Sequence, residues 1–357
     1  MQILRIALLG FGHVNQAFCR LLMEKASWIE KNYGFHPIVT MATTLDQGNL
    51  TNKNGIDVKR ALSEISENNC FNTANPDYMD GDTLNCMDRA SFDVVVEATT
   101  LNIFSGEPAL SHIKKAFDKK SHVISVNKGP LAWQGQTLKQ AARAKNLGFF
   151  YEGTVMDGFP IFNYVAKCLP GCKILGFEGI FNSTTNYIID KMSKGFCYAD
   201  ALTEAQEAGF AEADPALDIE GWDAAAKTAV VANMIMDANL EPTKITRFNL
   251  HDLISQPNLE LQDDEKLKII SVCKRQGDTI VAEIKLTKIS VEHPFYSVDG
   301  SSSVIALETD LMGSLILIEN SPQILQTAYA VFVDMIQVIE FIVSEGFKDA
   351  TTETIST

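Results

Sequence analysis

The chain lacks the features that mark several large classes of protein. It has no apolar run approaching the roughly 20 residues that a membrane span requires, so no membrane partner is expected. Its seven cysteines, Cys19, Cys70, Cys86, Cys168, Cys172, Cys197 and Cys273, are odd in number and form no CxxC pair or disulfide-dense spacing. That excludes a disulfide scaffold and points to reduced thiols in a cytosol, hence to a cytoplasmic protein. Positive charge is scarce: 30 lysines and arginines face 45 acids, giving a net charge of −15 and a pI near 4.9. Such a balance argues against nucleic acid or an anionic membrane as partner, and any phosphate must be held locally. Internal repeats and low-complexity segments are missing. The opening MQILRIALLGFG is too short, carries Arg5 and runs into glycines, so it reads as a strand and not as a signal sequence. What remains is an ordinary globular composition, 46% hydrophobic and 21% charged, in 357 residues, enough for two domains with separate cores.

The stretch 204–228, EAQEAGFAEADPALDIEGWDAAAKT, gathers acids around one lysine in an apolar setting. From Gly221 to Met236 the composition is helical, and Asp223 and Lys227 fall four residues apart on one face. A charge entering an apolar interior needs a partner, and a desolvated lysine is expected to have its pKa pushed down towards the range of proton transfer. Lys227 is therefore the first catalytic candidate, the alternative being a solvated ion pair. Ahead of it, Glu212, Asp214, Asp218 and Glu220 are expected in a loop that Pro215 detaches from a helix over 199–208 capped by Gly209. Clustered carboxylates suit a substrate carrying an ammonium group; a solvated acidic turn is the alternative.

Along the chain, 3–9 reads as a buried strand, followed by the turn GFGHVN and an amphipathic helix over about 14–32. Strand, glycine turn and helix open a dinucleotide-binding unit. A strand fits 37–43, while 44–90 is polar and yields only a short helix near 58–68. Strands at 93–100, 122–128 and 148–153 then alternate with helices at about 107–118 and 134–145, which predicts a Rossmann-type parallel sheet with helices on both faces. Beyond Gly158, strands at 173–181, 279–290, 303–309 and 314–318 mix with helices at 185–194, 199–208 and 221–236, predicting a second α+β domain. A strong amphipathic helix spans Leu325 to Val343. The domains are placed at 1–150, completed by the C-terminal helix at about 322–357, and at 151–321.

In GFGHVN, Gly10 permits the tight turn and Gly12 the close approach of backbone to a pyrophosphate at a helix N-terminus. His13 and Val14 follow as further cofactor-binding candidates, though His13 reads equally as a spacer. Asn15 replaces the third glycine and loosens the match, and a tight turn without nucleotide stays open. The acid expected at the end of the second strand is not evident in ATTLDQG. VVEATT ends a strand at the carboxyl edge of the sheet, where Thr99 and Thr100 would bond to cofactor or cap the next helix. SVNKGP ends the next strand there, making Lys128 a second lysine near the reaction centre, and two close ammonium groups depress each other's pKa.

In this order, GFGHVN, VVEATT, SVNKGPLA, YEGTVMDGFPIF, GIFNSTTNYI, EAQEAGFAEADPALDIEGWDAAAK, HPFYSVDG and TDLMG make the chain resemble the homoserine dehydrogenases over nearly its whole length. The resemblance implies interconversion of L-homoserine and L-aspartate 4-semialdehyde with NADP or NAD, in a homodimer whose partner otherwise is a small amino-acid substrate. It implies Lys227 as proton donor and acceptor, with Lys128 and Asp223 beside it. Glu212 would hold the substrate ammonium, Asp218 and Asp223 would orient substrate and lysine, Thr184 would contact substrate and Thr99 cofactor. It further implies a monovalent cation such as sodium near Glu152, Val155, Asp157 and Phe159, held mostly by backbone carbonyls.

Departures fall on the same sites. Ser183 stands where the family has glycine and Phe210 where it has tyrosine, both on the substrate side, while ENSPQILQ at 319–326 replaces a glycine-rich loop. A relative acting on another amino alcohol or semialdehyde is one rival reading, motivated by Ser183 and Phe210. A nucleotide-binding sensor without catalysis is another, which the joint presence of Lys128, Glu212, Asp218, Asp223 and Lys227 opposes. No fused kinase or regulatory domain is expected.

Overall fold

A computed structural model describes residues 1–209, 211–212, 214–254 and 261–353. Elements are numbered in chain order. The first half runs β1 (Gln2–Leu9), α1 (His13–Tyr33), β2 (Phe35–Thr43), β3 (Asn49–Thr51), α2 (Val58–Asn68), β4 (Tyr78–Met79), α3 (Thr83–Arg89), β5 (Val94–Glu97), α4 (Ala109–Asp118), β6 (His122–Ser125), α5 (Lys128–Ala144) and β7 (Phe149–Phe150). The rest comprises α6 (Ile161–Cys168), β8 (Ile174–Ile180), α7 (Ser183–Ser193), α8 (Tyr198–Glu207), α9 (Ala216–Ile219), α10 (Trp222–Ile235), α11 (Leu250–Ile254), β9 (Glu265–Gln276), β10 (Thr279–Ser290), β11 (Ser303–Thr309), β12 (Ser314–Glu319) and α12 (Ile324–Glu353).

One sheet has the order β4-β3-β2-β1-β5-β6-β7 and the other β10-β9-β8-β11-β12. In the first, β2, β1, β5, β6 and β7 pair in parallel, as the alternation of strands and helices predicts. Its central strand is apolar on both faces: Leu4, Ile6 and Leu8 pack with Phe18 and Leu22 of α1, while Ala7 and Leu9 pack with Ile113 of α4 and Leu138 of α5. A strand buried on both faces reads as one apolar run, which is why β1 is legible. The second sheet is antiparallel throughout.

Several expectations need correction. The polar stretch 44–90 carries β3, β4 and α3 besides α2, and β3 and β4 join antiparallel to β2. Strand β9 is not among the strands expected from the sequence, because lysines interrupt its pattern. One of them, Lys268, is only 1% exposed. It is held by the Val298 carbonyl at 2.6 Å, Asn186 at 3.1 Å and Asp299 at 3.0 Å. Helix α5 begins at Lys128, not near 134, because Gly129 and Pro130 fit a first turn and only Gln134, at φ −136°, interrupts it. The acidic loop before α10 contains the single turn α9, for which Pro215 is the N-cap.

The last helix overturns another expectation. By length and mean hydropathy, 1.6 over 324–344, it is apolar enough to cross a membrane. Yet 61% of that stretch is buried within the protein. Ala328, Val331, Met335 and Ile339 complete the core against α1 and β1, so packing accounts for the apolar run.

Candidate active site

The parallel sheet delivers its loops to one edge. After β1 the chain turns at Gly10, whose φ of +79° lies in the left-handed region, and a Cβ there would stand 2.4 Å from the Ala98 carbonyl oxygen. Only glycine fits. Gly12 precedes α1 without any side-chain cap, and nothing lies within 4 Å of where its Cβ would be, so the helix N-terminus is bare. Asn15 plays a different part from the one its substitution for glycine suggests. Buried under the turn, its amide donates to the Gly10 carbonyl at 2.6 Å and fastens the loop to the helix.

Two cavities flank this turn. One of about 240 Å³ is lined by Gly12, His13, Val14, Thr99, Asn127 and Lys128. The other, of about 610 Å³, takes in Gly10, Thr44, Asp46, Thr99 and Thr100. Thr99 and Thr100 do not cap a helix, since the next one starts at Ala109. Instead the Thr99 hydroxyl and amide both donate to Glu97 Oε1, the amide at 3.3 Å, and Asn127 Nδ2 donates to the Thr99 carbonyl at 3.1 Å. Glu97, fully buried at the end of β5 with His112 Nδ1 at 3.3 Å, was not singled out from the sequence. An acid in the apolar strand VVVE was its only signal.

The lysine pair lies where α5, α7 and α10 begin. Gly221, at φ +74°, turns the chain into α10, putting Asp223 in its first turn and Lys227 one turn on. Lys128 is the first residue of α5. One carboxylate serves both: Asp223 Oδ1 is 2.8 Å from Lys128 Nζ and Oδ2 is 3.2 Å from Lys227 Nζ. Lys227 also donates to the Phe181 carbonyl at 2.8 Å. Asn182 completes the arrangement. Its Oδ1 accepts from the Thr185 amide at 2.8 Å as the cap of α7, and its Nδ2 donates to Asp218 Oδ1 at 2.6 Å and Asp223 Oδ2 at 2.9 Å. Within GIFNSTTNYI nothing marks Asn182 as functional, because the sequence does not say that a helix cap will also gather two distant carboxylates.

The electrostatics reverse one expectation. Burial opposes the Lys227 charge, but Asp223, Asp157 and Asp218 outweigh it and hold the lysine above its ordinary 10.5. The two ammonium groups share Asp223, which separates them. Burial likewise opposes the Asp223 charge, and Lys128 and Lys227 override it, leaving the carboxyl well below the usual range. Asp218 moves the other way, raised by burial and by Asp223 despite bonds from Asn182 and Thr184. Thr184 is 3% exposed and Ser183 is half-buried, the first residue of α7. Glu212 is exposed, and Phe210 lies outside the described residues.

In the loop expected to hold a cation, Glu152 is buried and its carboxylate accepts from the amides of Phe162 and Asn163, each at 2.9 Å. Burial pushes it up to about 7. Val155 is buried, Asp157 is left-handed at φ +40°, and the Phe159 amide donates to the Met156 carbonyl at 2.6 Å. Among the described residues no cluster of three or more His, Cys, Asp or Glu could hold a metal. Glu319, unnoticed in the sequence, ends β12 with Oε2 buried and unpartnered among the described residues. Burial and Asp157 push it up to about 7.

A mostly parallel sheet with a glycine turn at the carboxyl edge defines a Rossmann-type α/β protein, joined here to an antiparallel sheet. The homoserine dehydrogenase family model matches residues 160–336. The NAD(+)-dependent homoserine dehydrogenase of Pseudomonas canavaninivorans is 32% identical over 94% of this chain and 96% of its own. A putative homoserine dehydrogenase from Archaeoglobus fulgidus superposes with a TM-score of 0.79 at 25% identity, covering 94% of this chain and 99% of that one. A hyperthermophilic archaeal homoserine dehydrogenase in complex with NADPH shares the fold, with a TM-score of 0.79 at 24% identity over 94% and 98% of the two chains. The chain belongs to the homoserine dehydrogenase family.

Proposed function

We propose that the protein interconverts L-homoserine and L-aspartate 4-semialdehyde, using NAD or NADP and Lys227 as proton donor and acceptor. The observation that carries this reading is the double role of Lys128. It lines the cavity beside Gly12 and Val14, and it also bonds at 2.8 Å to Asp223, which holds Lys227. A dinucleotide fits the residues present: Gly10 and Gly12 keep the turn free of side chains and α1 offers an uncapped N-terminus for a pyrophosphate. Bound there, the nicotinamide supplies or accepts the hydride.

The remaining steps belong to the chain. Asp223 anchors both lysines, and Lys227, held protonated, stabilises the negative charge developing on the aldehyde oxygen and donates its proton there. In the oxidising direction the same nitrogen must be neutral to take the hydroxyl proton. Asp218 and Thr184 lie beside it to orient substrate, and the exposed Glu212 carboxylate suits the substrate ammonium. Buried Glu152, its pKa raised by burial, fits a site for a monovalent cation that the carbonyls of Val155, Asp157 and Phe159 would complete.

The division at about 150 is supported by the apolar clusters: of the two around the parallel sheet, the one facing α1 draws on α12, and the cluster around α10 draws on β8, β9 and β11. A homodimer through the second half is supported by exposed Leu175, Val281, Ile316 and Ile318 on the antiparallel sheet. A cytoplasmic setting is supported by seven free cysteines.

Following reduced nicotinamide absorbance with L-homoserine and each cofactor tests the reading. Lys227→Ala should lower kcat by about 10²–10⁴-fold with nucleotide binding retained. A variant turning over near the wild-type rate would remove Lys227 from the chemistry.

A further inference from the structure

The larger cavity shares Gly12, Ala98 and Thr99 with the smaller one and reaches from there to the turn after β2, without Lys128 in its lining. Taking the dinucleotide reading above as its basis, it is the space for the adenosine half, because the smaller cavity beside Lys128 takes the nicotinamide half. Its lining carries two features that the catalytic site does not explain. Leu45 and Leu84, 89% and 37% exposed, line it with apolar surface suited to a flat base. Its charged side chains are carboxylates, Asp46 and Asp82, and no lysine or arginine lines it among the described residues.

The two carboxylates are not equivalent. Asp82 is committed to α3, with Oδ1 accepting from the Asn85 amide at 2.8 Å and Oδ2 from the Asn85 side chain at 3.0 Å. Asp46 is exposed and has no hydrogen-bonding or ionic partner among the described residues. Yet the turn presenting it is well fixed. The Thr44 amide donates to Asn49 Oδ1 at 3.1 Å, its hydroxyl donates to the Gly48 carbonyl at 2.8 Å, and that hydroxyl accepts from the Gln47 amide at 2.8 Å. His112, also on the cavity wall, is turned to Glu97. Asp46 therefore occupies the place after the second parallel strand where a carboxylate meets the adenosine ribose. In the sequence it stays hidden because it lies past Thr43, the last residue of β2, at the tip of a turn.

We propose that Asp46 selects the cofactor: its carboxylate accepts hydrogen bonds from the ribose hydroxyls of NAD and repels the 2′-phosphate of NADP. A 2′-phosphate would enter a cavity holding two carboxylates and no guanidinium or ammonium group to receive it. Like charges brought together cost several kcal/mol, so NADH should bind about 100-fold more tightly than NADPH.

The test is direct titration of the full chain with NADH and with NADPH, for wild type, Asp46→Asn and Asp46→Arg. The expected result is a wild-type preference for NADH that shrinks at least about tenfold in D46N and shrinks further or inverts in D46R. Equal affinities in the wild type, or a preference for NADPH, overturn the proposal and leave the dehydrogenase reading intact. A preference for NADH that both variants retain overturns the assignment to Asp46. If neither nucleotide binds the wild type, the dinucleotide site itself fails, and both readings fall.

Discussion

Replacing Asp223 by asparagine preserves shape and removes the one charge that two lysines share. In the native site Lys227 Nζ stands 3.2 Å from one oxygen of this carboxylate and Lys128 Nζ 2.8 Å from the other. The lysine side chains are 15% and 18% exposed and that of Asp223 is 12% exposed, so solvent screens them little. At an effective dielectric constant of about 20, unit charges at the Lys227 distance attract by about 5 kcal/mol. Breaking a buried pair by removing one partner costs about 3–5 kcal/mol of stability. Neutralising a lysine limits that cost, and the limit gives the experiment its signature. In the wild type Asp223 is the largest influence raising the Lys227 pKa, against burial, which lowers it. Without Asp223 the folded-state pKa moves down, so the stability that the charged lysine contributes shrinks. The penalty is full while the lysine is protonated in both folded proteins, shrinks as pH passes the lower folded value of the variant, and is gone above the raised folded value of the wild type. The measurements are thermal unfolding followed by circular dichroism, and the pH profile of homoserine oxidation. At pH 7 D223N should melt well below the wild type, and the gap should close only at pH values above the ordinary lysine value of 10.5. Its oxidation profile, which needs the neutral lysine, should begin to rise at lower pH than that of the wild type. A D223N protein with unchanged melting temperature and an unshifted profile would refute the claim that this carboxylate sets the charge of Lys227.

Gly10→Ala places a Cβ 2.4 Å from the Ala98 carbonyl oxygen at a φ of +79°. With about 1–2 kcal/mol of left-handed strain added to that clash, NADH affinity measured by calorimetry should fall at least about tenfold; an unaltered Kd would show that the turn does not contact nucleotide. If Glu152 holds a monovalent cation, sodium chloride should raise the melting temperature more than the same concentration of tetramethylammonium chloride. Glu152→Gln should abolish that difference, whereas equal effects of the two salts would dismiss the cation.

Much of the site was legible as local pattern. GFGHVN announced its turn because tight geometry demands glycine at Gly10, and the apolar run of β1 announced a strand buried on both faces. Asp223 and Lys227 could be paired from their spacing, since four residues make one helical face. What local pattern could not supply was the charge balance. Spacing offered one acid to one lysine and burial predicted a lowered pKa. The fold adds Asp157 from the loop before α6 and Asp218 from α9, and the sum reverses the sign. The strands β3, β4 and β9 were missed for a related reason: they are stabilised by neighbours in the sheet and by partners such as Asp299 for Lys268, not by an apolar alternation of their own.

By itself, then, the sequence determined which segments turn, which bury an apolar face and which residues carry chemistry, because these follow from interactions within a few residues along the chain. The tertiary structure decided that Asn182 ties Asp218 to Asp223, that Asp223 bridges Lys128 and Lys227, and that Asp46 lines a cavity with Gly10, Gly12 and Thr99. Coulomb and hydrogen-bond energies depend on separation in space and on local exposure to water. Residues far apart in the chain acquire both only when the strands and helices that carry them have packed.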